Sequence, residues 1–493
     1  MGKKKRRKAN AVKRHAPVAS LPAPAAGGSS TNPPDQRCYD VPYSAVAPRM
    51  INPDLGMHHL VARVGHNAAY EISVTLLDAP DHRLIRSGVL LAHRVLDGRG
   101  EWYLTAPDWQ PLLPIDRIEL MGHADLPEEL ADMIRPLRRR ATLGPVAGLT
   151  CDRREFALRD AQGTTLALLR DDKVTVRRGG LTTARYREVL ITPVGPGLTD
   201  EQVAWLDRAL LQAGATYVAR FPRLVSRLGA PATGPTDLPV PGPFDAAAPF
   251  RKFVSQLVAL RLRQIVEADL AIRGGDLGAV DRLADQAARL RLELKGLSVV
   301  LDPEWVEDLY DELGWISLEG DSFNGDGHDR LTARLRSERY LTVLERLVAA
   351  IRSPKLADQR SDPAGEVLAG LVSIAVTRMN GCAEQLTVDS SDEEWEEAWQ
   401  EMGHLEWVVG VAGQVLPEEA AMIQHQLLKP RQLLAEIHND HRRELVTAEQ
   451  VARLLPAQAF AAGRDFERDF RRTRRARREF MEVWAKTKKK LGA

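Results

Sequence analysis

Several absences in the sequence remove whole classes of function. Three cysteines, Cys38, Cys151 and Cys382, stand far apart and form no CxxC pair, which argues against a disulfide framework or a cysteine-rich zinc site. No apolar run approaches the roughly 20 residues needed to cross a bilayer, and the N-terminus lacks the apolar stretch of a secretory signal. A cytoplasmic address with no membrane partner is therefore the expectation. No Walker loop, G-x-S-x-G elbow or G-x-G-x-x-G fingerprint occurs, so nucleotide chemistry on those folds is unsupported. His58 and His59 have no carboxylate or third histidine at helical spacing and do not make a metal site. "GDSFNGDGHDR" places Asp321, Asp326 and Asp329 outside the ligand spacing of a calcium loop, and reads as a turn.

At 493 residues the chain is long for one core and implies two to three domains. A hydrophobic content of 44% lets most of it bury a core. The net charge of +1 hides a segregation of sign. "MGKKKRRKANAVKRH" opens a stretch with no acid before Asp35, and near the C-terminus Arg471, Arg472, Arg474, Arg475, Arg477 and Arg478 crowd together. Acid concentrates in "VDSSDEEWEEAWQE", where Asp392 to Glu397 pair with basic partners or open a helix.

Composition divides the chain into four parts. Residues 1–37 are basic, then rich in Pro, Ala, Gly and Ser, and read as a disordered arm. Residues 38–230 carry short runs of period-two alternation, such as "YEISVTLLD", "GVLLAHRVL" and "TLALLRDDKVTV", separated by turns such as "DAQG" and "RRGG". Two segments of helical spacing, "DLPEELADMIRPLRRRA" and "TDEQVAWLDRALLQAGA", start at Asp-type caps. This half is α+β. Residues 231–249 are dense in Pro and Gly and read as an interdomain linker. From Phe250 to residue 493, amphipathic segments such as "FRKFVSQLVALRLRQIVEADLAI" and "SERYLTVLERLVAAI" predict an all-α bundle.

"LLDAPDHRLIRSGVLLAHR" resembles the strand, turn and strand of the CYTH family, and "EWYLTAP", "CDRREFALRDAQGTTLALLRDDKVTV", "YREVLITP" and "LLQAGATYVARFPRLVSRLG" follow in that family's order over residues 57–230. The resemblance implies an antiparallel barrel that holds a triphosphate with cations, and Mg²⁺ or Mn²⁺ with carboxylates. Arg94, Arg154, Lys173, Arg187, Glu188 and Arg223 match charged tunnel positions, at alternating strand positions expected to face one interior. Glu188 is the metal candidate. No E-x-E-x-K precedes "DAPDHR", and Thr105, Leu168 or Leu169, Leu190 and Thr192 stand where the family carries charge.

"GDLGAVDRLADQAARLRLELKGLSVVLDPEWVEDLYDELGWI" resembles the CHAD family, a two-repeat helical bundle that binds inorganic polyphosphate and similar polyanions. The likeness covers roughly 250–493. Arg289, Arg291 and Lys295, then Arg334, Arg336, Arg339 and Arg346, match its basic positions, because cations at helical spacing build a stripe that gains affinity by counterion release. Asp281, Ala284, Gln400, Gly403, Trp407 and Gly410 stand where histidines or basic residues are expected. His438 reads as a capping or packing histidine or as a phosphate donor. Arg471, Arg474, Arg475 and Arg478 share one helix face, near Phe480 and Trp484, which could stack single-stranded nucleic acid.

The expected function is a non-catalytic polyphosphate-binding or scaffold protein without a resident cofactor, with polyphosphate granules as an address. The alternatives are a residual metal-dependent phosphatase of the CYTH type, and a protein-interaction or nucleic-acid-binding protein acting through its basic termini.

Overall fold

The computed structural model describes residues 36–63, 69–96, 98–114, 117–120, 125–219, 221, 224–317, 326–357, 361–444 and 455–491. The chain divides into two compact units, Met1–Asp237 and Leu238–Ala493. An N-terminal antiparallel sheet is followed by a helical region.

The sheet has ten strands: β1 Arg37–Val41, β2 His59–Ala62, β3 Ala69–Asp78, β4 Leu90–Leu96, β5 Arg99–Thr105, β6 Arg117–Leu120, β7 Gly144–Arg159, β8 Thr165–Arg178, β9 Leu181–Pro193 and β10 Thr216–Val218. Their order is β10-β1-β9-β8-β7-β3-β4-β5-β6, with β2 also paired to β7. The hairpins come from the turn chemistry. The side chain of Asp160 accepts the amide of Thr164 at 2.8 Å in "DAQG". In "RRGG" both Gly179 and Gly180 have positive φ, 53° and 82°, which a two-residue hairpin that matches the strand twist requires.

Each face of the sheet is covered. On one, α4 (Asp200–Gln212) packs Leu206 and Leu210 against Tyr39, Val41, Leu169, Val189 and Ile191. Thr199, rather than the expected aspartate, caps this helix in a reciprocal box with Gln202. On the other face, α5 (Leu224–Leu228) and Ala232 seal Val74, Leu76, Ala92, Leu149, Cys151, Val174 and Val176. The helical spacing of "TDEQVAWLDRALLQAGA" matches α4, and the family likeness of residues 210–229 implies a closing helix with a basic tail. The structure instead ends α4 at Gln212 and inserts β10 before α5, because Gly214, at φ 83°, breaks the helix. The other predicted helix is also broken. α1 is Arg83–Arg86, and "DLPEELADMIRPLRRRA" folds as α2 (Glu128–Met133), capped by Pro127 rather than by an aspartate, and α3 (Arg135–Arg138), where Pro136 sits in the first turn.

The second unit holds α6 Phe250–Arg273, α7 Ala279–Gly296, α8 Pro303–Ile316, α9 Asp326–Arg336, α10 Glu338–Arg352, α11 Ala364–Gln385, α12 Asp392–Ala412, α13 Pro417–Glu444 and α14 Pro456–Lys490. Asp302, Ser337 and Ser391 supply N-caps. Asp326 belongs to α9 rather than to a turn, and Asp321 lies outside the described residues. Buried Phe250, Phe253, Leu257, Leu290, Leu294, Leu344 and Leu347 form apolar faces at helical spacing. Close approach is needed at Gly296, where a Cβ would meet the backbone of Trp407 and Val408 at 3.1–3.3 Å.

Candidate functional site

Residues directly opposite in a sheet share a face. Strand registers put Arg153 of β7, Asp172 of β8, Glu188 of β9 and Asp40 of β1 in one such row. Arg153 and Asp172 are fully buried and bidentate, at 2.8 and 2.9 Å. Arg170 reaches the same aspartate at 3.2 Å. Arg227 of α5 pairs with Asp40 at 3.0 Å and lies 4.8 Å over the ring of Tyr186. Glu188 is 5% exposed. Burial pushes its carboxyl up to about 7, against the pull of Arg227 and with help from Asp172 and Asp40. Further along the same face, Arg94 of β4 is buried, pairs with Glu101 and lies 4.6 Å over Tyr103.

The expectation that the tunnel candidates face one interior is corrected. Arg94 and Glu188 do share a face, being opposite or in line with Val74, Leu149 and Asp172. Arg154, Lys173 and Arg187 point to the other one. Neighbours along a strand alternate sides, so Arg187 and Glu188 cannot both face inward. Arg187 is held bidentately by Asp171 at 2.6 and 2.7 Å and donates to the Ala45 carbonyl at 2.7 Å. Arg154 is exposed and pairs with Asp152 at 3.4 Å. Arg223 lies outside the described residues. The inward cations are Arg94, Arg153 and Arg170 of the strands, joined by Arg227 of α5; for Arg153 the strand register decides between two adjacent arginines.

A divalent metal does not fit this row. The oxygens of Asp172 are engaged by Arg153 and Arg170, Asp40 is held by Arg227, and Glu188 is left as a single ligand. Among the described residues no group of three or more His, Cys, Asp or Glu could hold a metal ion.

The helical unit distributes its charge differently. On α7, Arg289 is exposed, Arg291 stacks 3.7 Å from the ring centroid of Tyr310, and Lys295 sits 5.3 Å from it. From α9 and α10, Arg334 and Arg339 lie 5.5 and 4.4 Å over Trp315. Arg339 and Arg346 share Glu312, at 2.7 and 4.0 Å, and Arg336 is exposed. His404 of α12 has its pKa lowered by burial and by Arg378, with Lys295 acting in the same direction.

His438 is committed elsewhere. Its Nδ1 lies 2.6 Å from Glu396 and its ring stacks on Trp399 at 5.0 Å and 17°. Glu396 belongs to the acidic block, which both caps α12, through Ser391 and Glu394, and pairs outward. Asp392 holds Arg477 and Asp389 holds Arg474. Arg471 pairs with Glu467 one turn away. Arg475 and Arg478 are exposed and make no ion pair among the described residues. Phe480 and Trp484 are 0% and 3% exposed, and Phe480 packs on Trp395. They are unable to stack nucleic acid, because their i, i+4 spacing puts them on the apolar stripe of α14.

No family model matches the chain. It is 28% identical over 359 residues, 65% of this chain and 67% of the relative, to the uncharacterized proteins Rv2226 and MT2285 of two Mycobacterium tuberculosis strains. Solved structures similar to it include PptA of Streptomyces chartreusis, at 16% identity and TM-score 0.35 over 48% of this chain and all of that one. Another is the Hippeastrum protein HpAC1, described as having a dominant triphosphatase activity, at 12% and 0.21 over 40% of this chain and 98% of that one. A third is the PH1819 protein of Pyrococcus horikoshii OT3, at 11% and 0.20 over 38% and 91%. The neighbours are of the CYTH triphosphate-tunnel type. Likeness at these scores carries no weight on what this chain does.

Proposed function

We propose that the chain is a non-catalytic polyanion-binding protein that takes inorganic polyphosphate on its helical unit, with the sheet unit as a structural body. The carrying observation is where charge is left over. The cations facing the sheet's interior are tied to carboxylates: Arg153 and Arg170 to Asp172, Arg94 to Glu101, and Arg227 of α5 to Asp40. On the helices, Arg289, Lys295, Arg475 and Arg478 make no ion pair among the described residues, and Arg339 and Arg346 share one glutamate. Unneutralised cations on rigid helices are what a flexible polyanion binds by counterion release. Association with polyphosphate granules in the cytoplasm follows from this reading.

A filter or mobility assay with long-chain polyphosphate at two salt concentrations tests it. Binding that weakens steeply with salt, and weakens further on Arg475→Glu/Arg478→Glu, is expected; no binding at low salt overturns it. Phosphate release from tripolyphosphate with Mg²⁺ or Mn²⁺, abolished by Glu188→Ala, would instead revive the residual phosphatase. Tighter binding of single-stranded RNA than of polyphosphate would favour the nucleic-acid reading.

A further inference from the structure

A second group of arginines in the sheet unit lies outside the strand rows. Three elements each send one arginine to the segment Ala230–Asp237, which the sequence reads as the start of a linker. Arg178, at the end of β8, donates from Nη1 to the Ala230 carbonyl at 3.0 Å. Arg86 of α1 donates from Nη1 to the Pro235 carbonyl at 2.6 Å, and its Nη2 lies 3.4 Å from Asp237. Arg139, just after α3, places Nη2 2.5 Å from the other oxygen of Asp237. The hydroxyls of Ser87 and Thr236 are 3.2 Å apart. Asp81 adds one carboxylate, paired with Arg83 and Arg86. Arg83, Arg86 and Arg139 therefore pair with two aspartates, and Arg178 with a backbone carbonyl of the same segment.

Matching is incomplete in a particular way. His82, 5% exposed, has a buried Nδ1 with no hydrogen-bond partner, and the same holds for Nε of Arg86 and for Nε and Nη2 of Arg178. Arg178, Arg86 and Asp81 are the charges that act on His82. His82 also holds a left-handed φ of 56°, a conformation that is strained for a residue with a side chain. What sets this place apart is that several of the orphaned atoms belong to neighbouring cationic side chains.

The geometry points to a phosphoryl-anion site formed by His82, Arg86, Arg139 and Arg178, in which the carboxylate of Asp237 holds the ligand's place. A carboxylate offers two oxygens and one charge. A phosphate offers up to four oxygens and nearly two charges, in a geometry that arginine forks match. It would engage the orphaned atoms that Asp237 leaves unpaired, lifting residues 230–237 as it binds. This site is separate from the helical polyanion surface and does not depend on it.

Asp237→Asn in the full chain tests the assignment by thermal unfolding in inorganic phosphate, in tripolyphosphate and in chloride of matched ionic strength. The variant should unfold at a lower temperature and recover in phosphate, with a half-saturating concentration roughly tenfold below that of the unaltered chain. Adding Arg178→Gln should remove the recovery. Recovery in tripolyphosphate alone would assign the site to a polyphosphate end, and recovery in both to a free phosphate. Equal protection of variant and unaltered chain, or no protection by either anion, overturns the site. If Asp237→Asn does not fold, Asp237→Ser purified in phosphate gives the same reading: unfolding when phosphate is dialysed out supports the site, and indifference contradicts it.

Discussion

The interior of the sheet unit and the surface of the helical unit treat arginine in opposite ways, while inside the helical unit buried Arg261 is paired with Glu293. In the sheet, Arg153 and Arg94 are 0% and 2% exposed and tied to carboxylates on neighbouring strands, so their charge is spent on holding the fold. On the helices, Arg289, Arg475 and Arg478 stand in solvent, while Arg291 and Arg339 lie flat on Tyr310 and Trp315. The difference follows from the scaffolds. Under the cover of α4 and α5 the centre of the sheet buries Arg153 and Asp172 completely, and there an unmatched cation is too costly to keep. A helix surface has no such penalty, and the ring of Tyr310 near Arg291 holds that guanidinium in place without neutralising it.

The largest expected break in this comparison is Arg153→Leu. It leaves buried Asp172 with Arg170 as its remaining partner and should destabilise the sheet unit by about 2–4 kcal/mol, read by denaturant unfolding, with Asp172→Asn partly restoring the loss. If polyphosphate affinity fell together with stability in a variant still folded at the assay temperature, the division of roles would be wrong.

Glu188→Gln comes next. A carboxyl whose folded pKa stands above its ordinary value binds its proton more tightly when folded, so stability falls as pH rises from the unfolded value toward about 7. Removing that charge should stabilise the chain by roughly 2 kcal/mol at pH 8 and leave it unchanged near pH 4. A pH-independent effect would mean that Glu188 is not buried as described.

His438→Ala should cost about 1–2 kcal/mol by loss of the Trp399 stack and the Glu396 pair, and should change polyphosphate affinity less than twofold. A larger affinity loss would restore His438 as a phosphate donor. The smallest effect is expected of Arg289→Ala, a single exposed cation, which should lower the slope of log affinity against log salt by less than one and leave stability within about 0.5 kcal/mol.

Much of the architecture is legible in the sequence because it is periodic. The alternation in "TLALLRDDKVTV" and the glycines of "RRGG" place β8 and its hairpin, and the acidic starts of "SDEEWEEAWQE" and "TDEQVAWLDRALLQAGA" locate α12 and α4, though their caps are Ser391 and Thr199 rather than aspartates. The site was less legible, for one physical reason. "RR" at 153–154, "DD" at 171–172 and "RE" at 187–188 each offer two adjacent polar residues, and a strand sends one of each pair to either face. Motif matching took Arg154, Lys173 and Arg187; the register selects Arg153 and Asp172 beside Glu188. The burial of Phe480 and Trp484 was in principle readable from their helical spacing, which fits an apolar stripe better than an exposed stacking platform.

The most direct test of the account is the affinity of the full chain for long-chain polyphosphate at low and moderate salt, compared between Arg475→Glu/Arg478→Glu and Arg94→Gln. The account predicts that the helical double variant loses roughly tenfold or more in affinity and shows a shallower salt dependence, while Arg94→Gln, if folded, binds as the unaltered chain does. Loss of affinity on Arg94→Gln with none on the helical variant would contradict it.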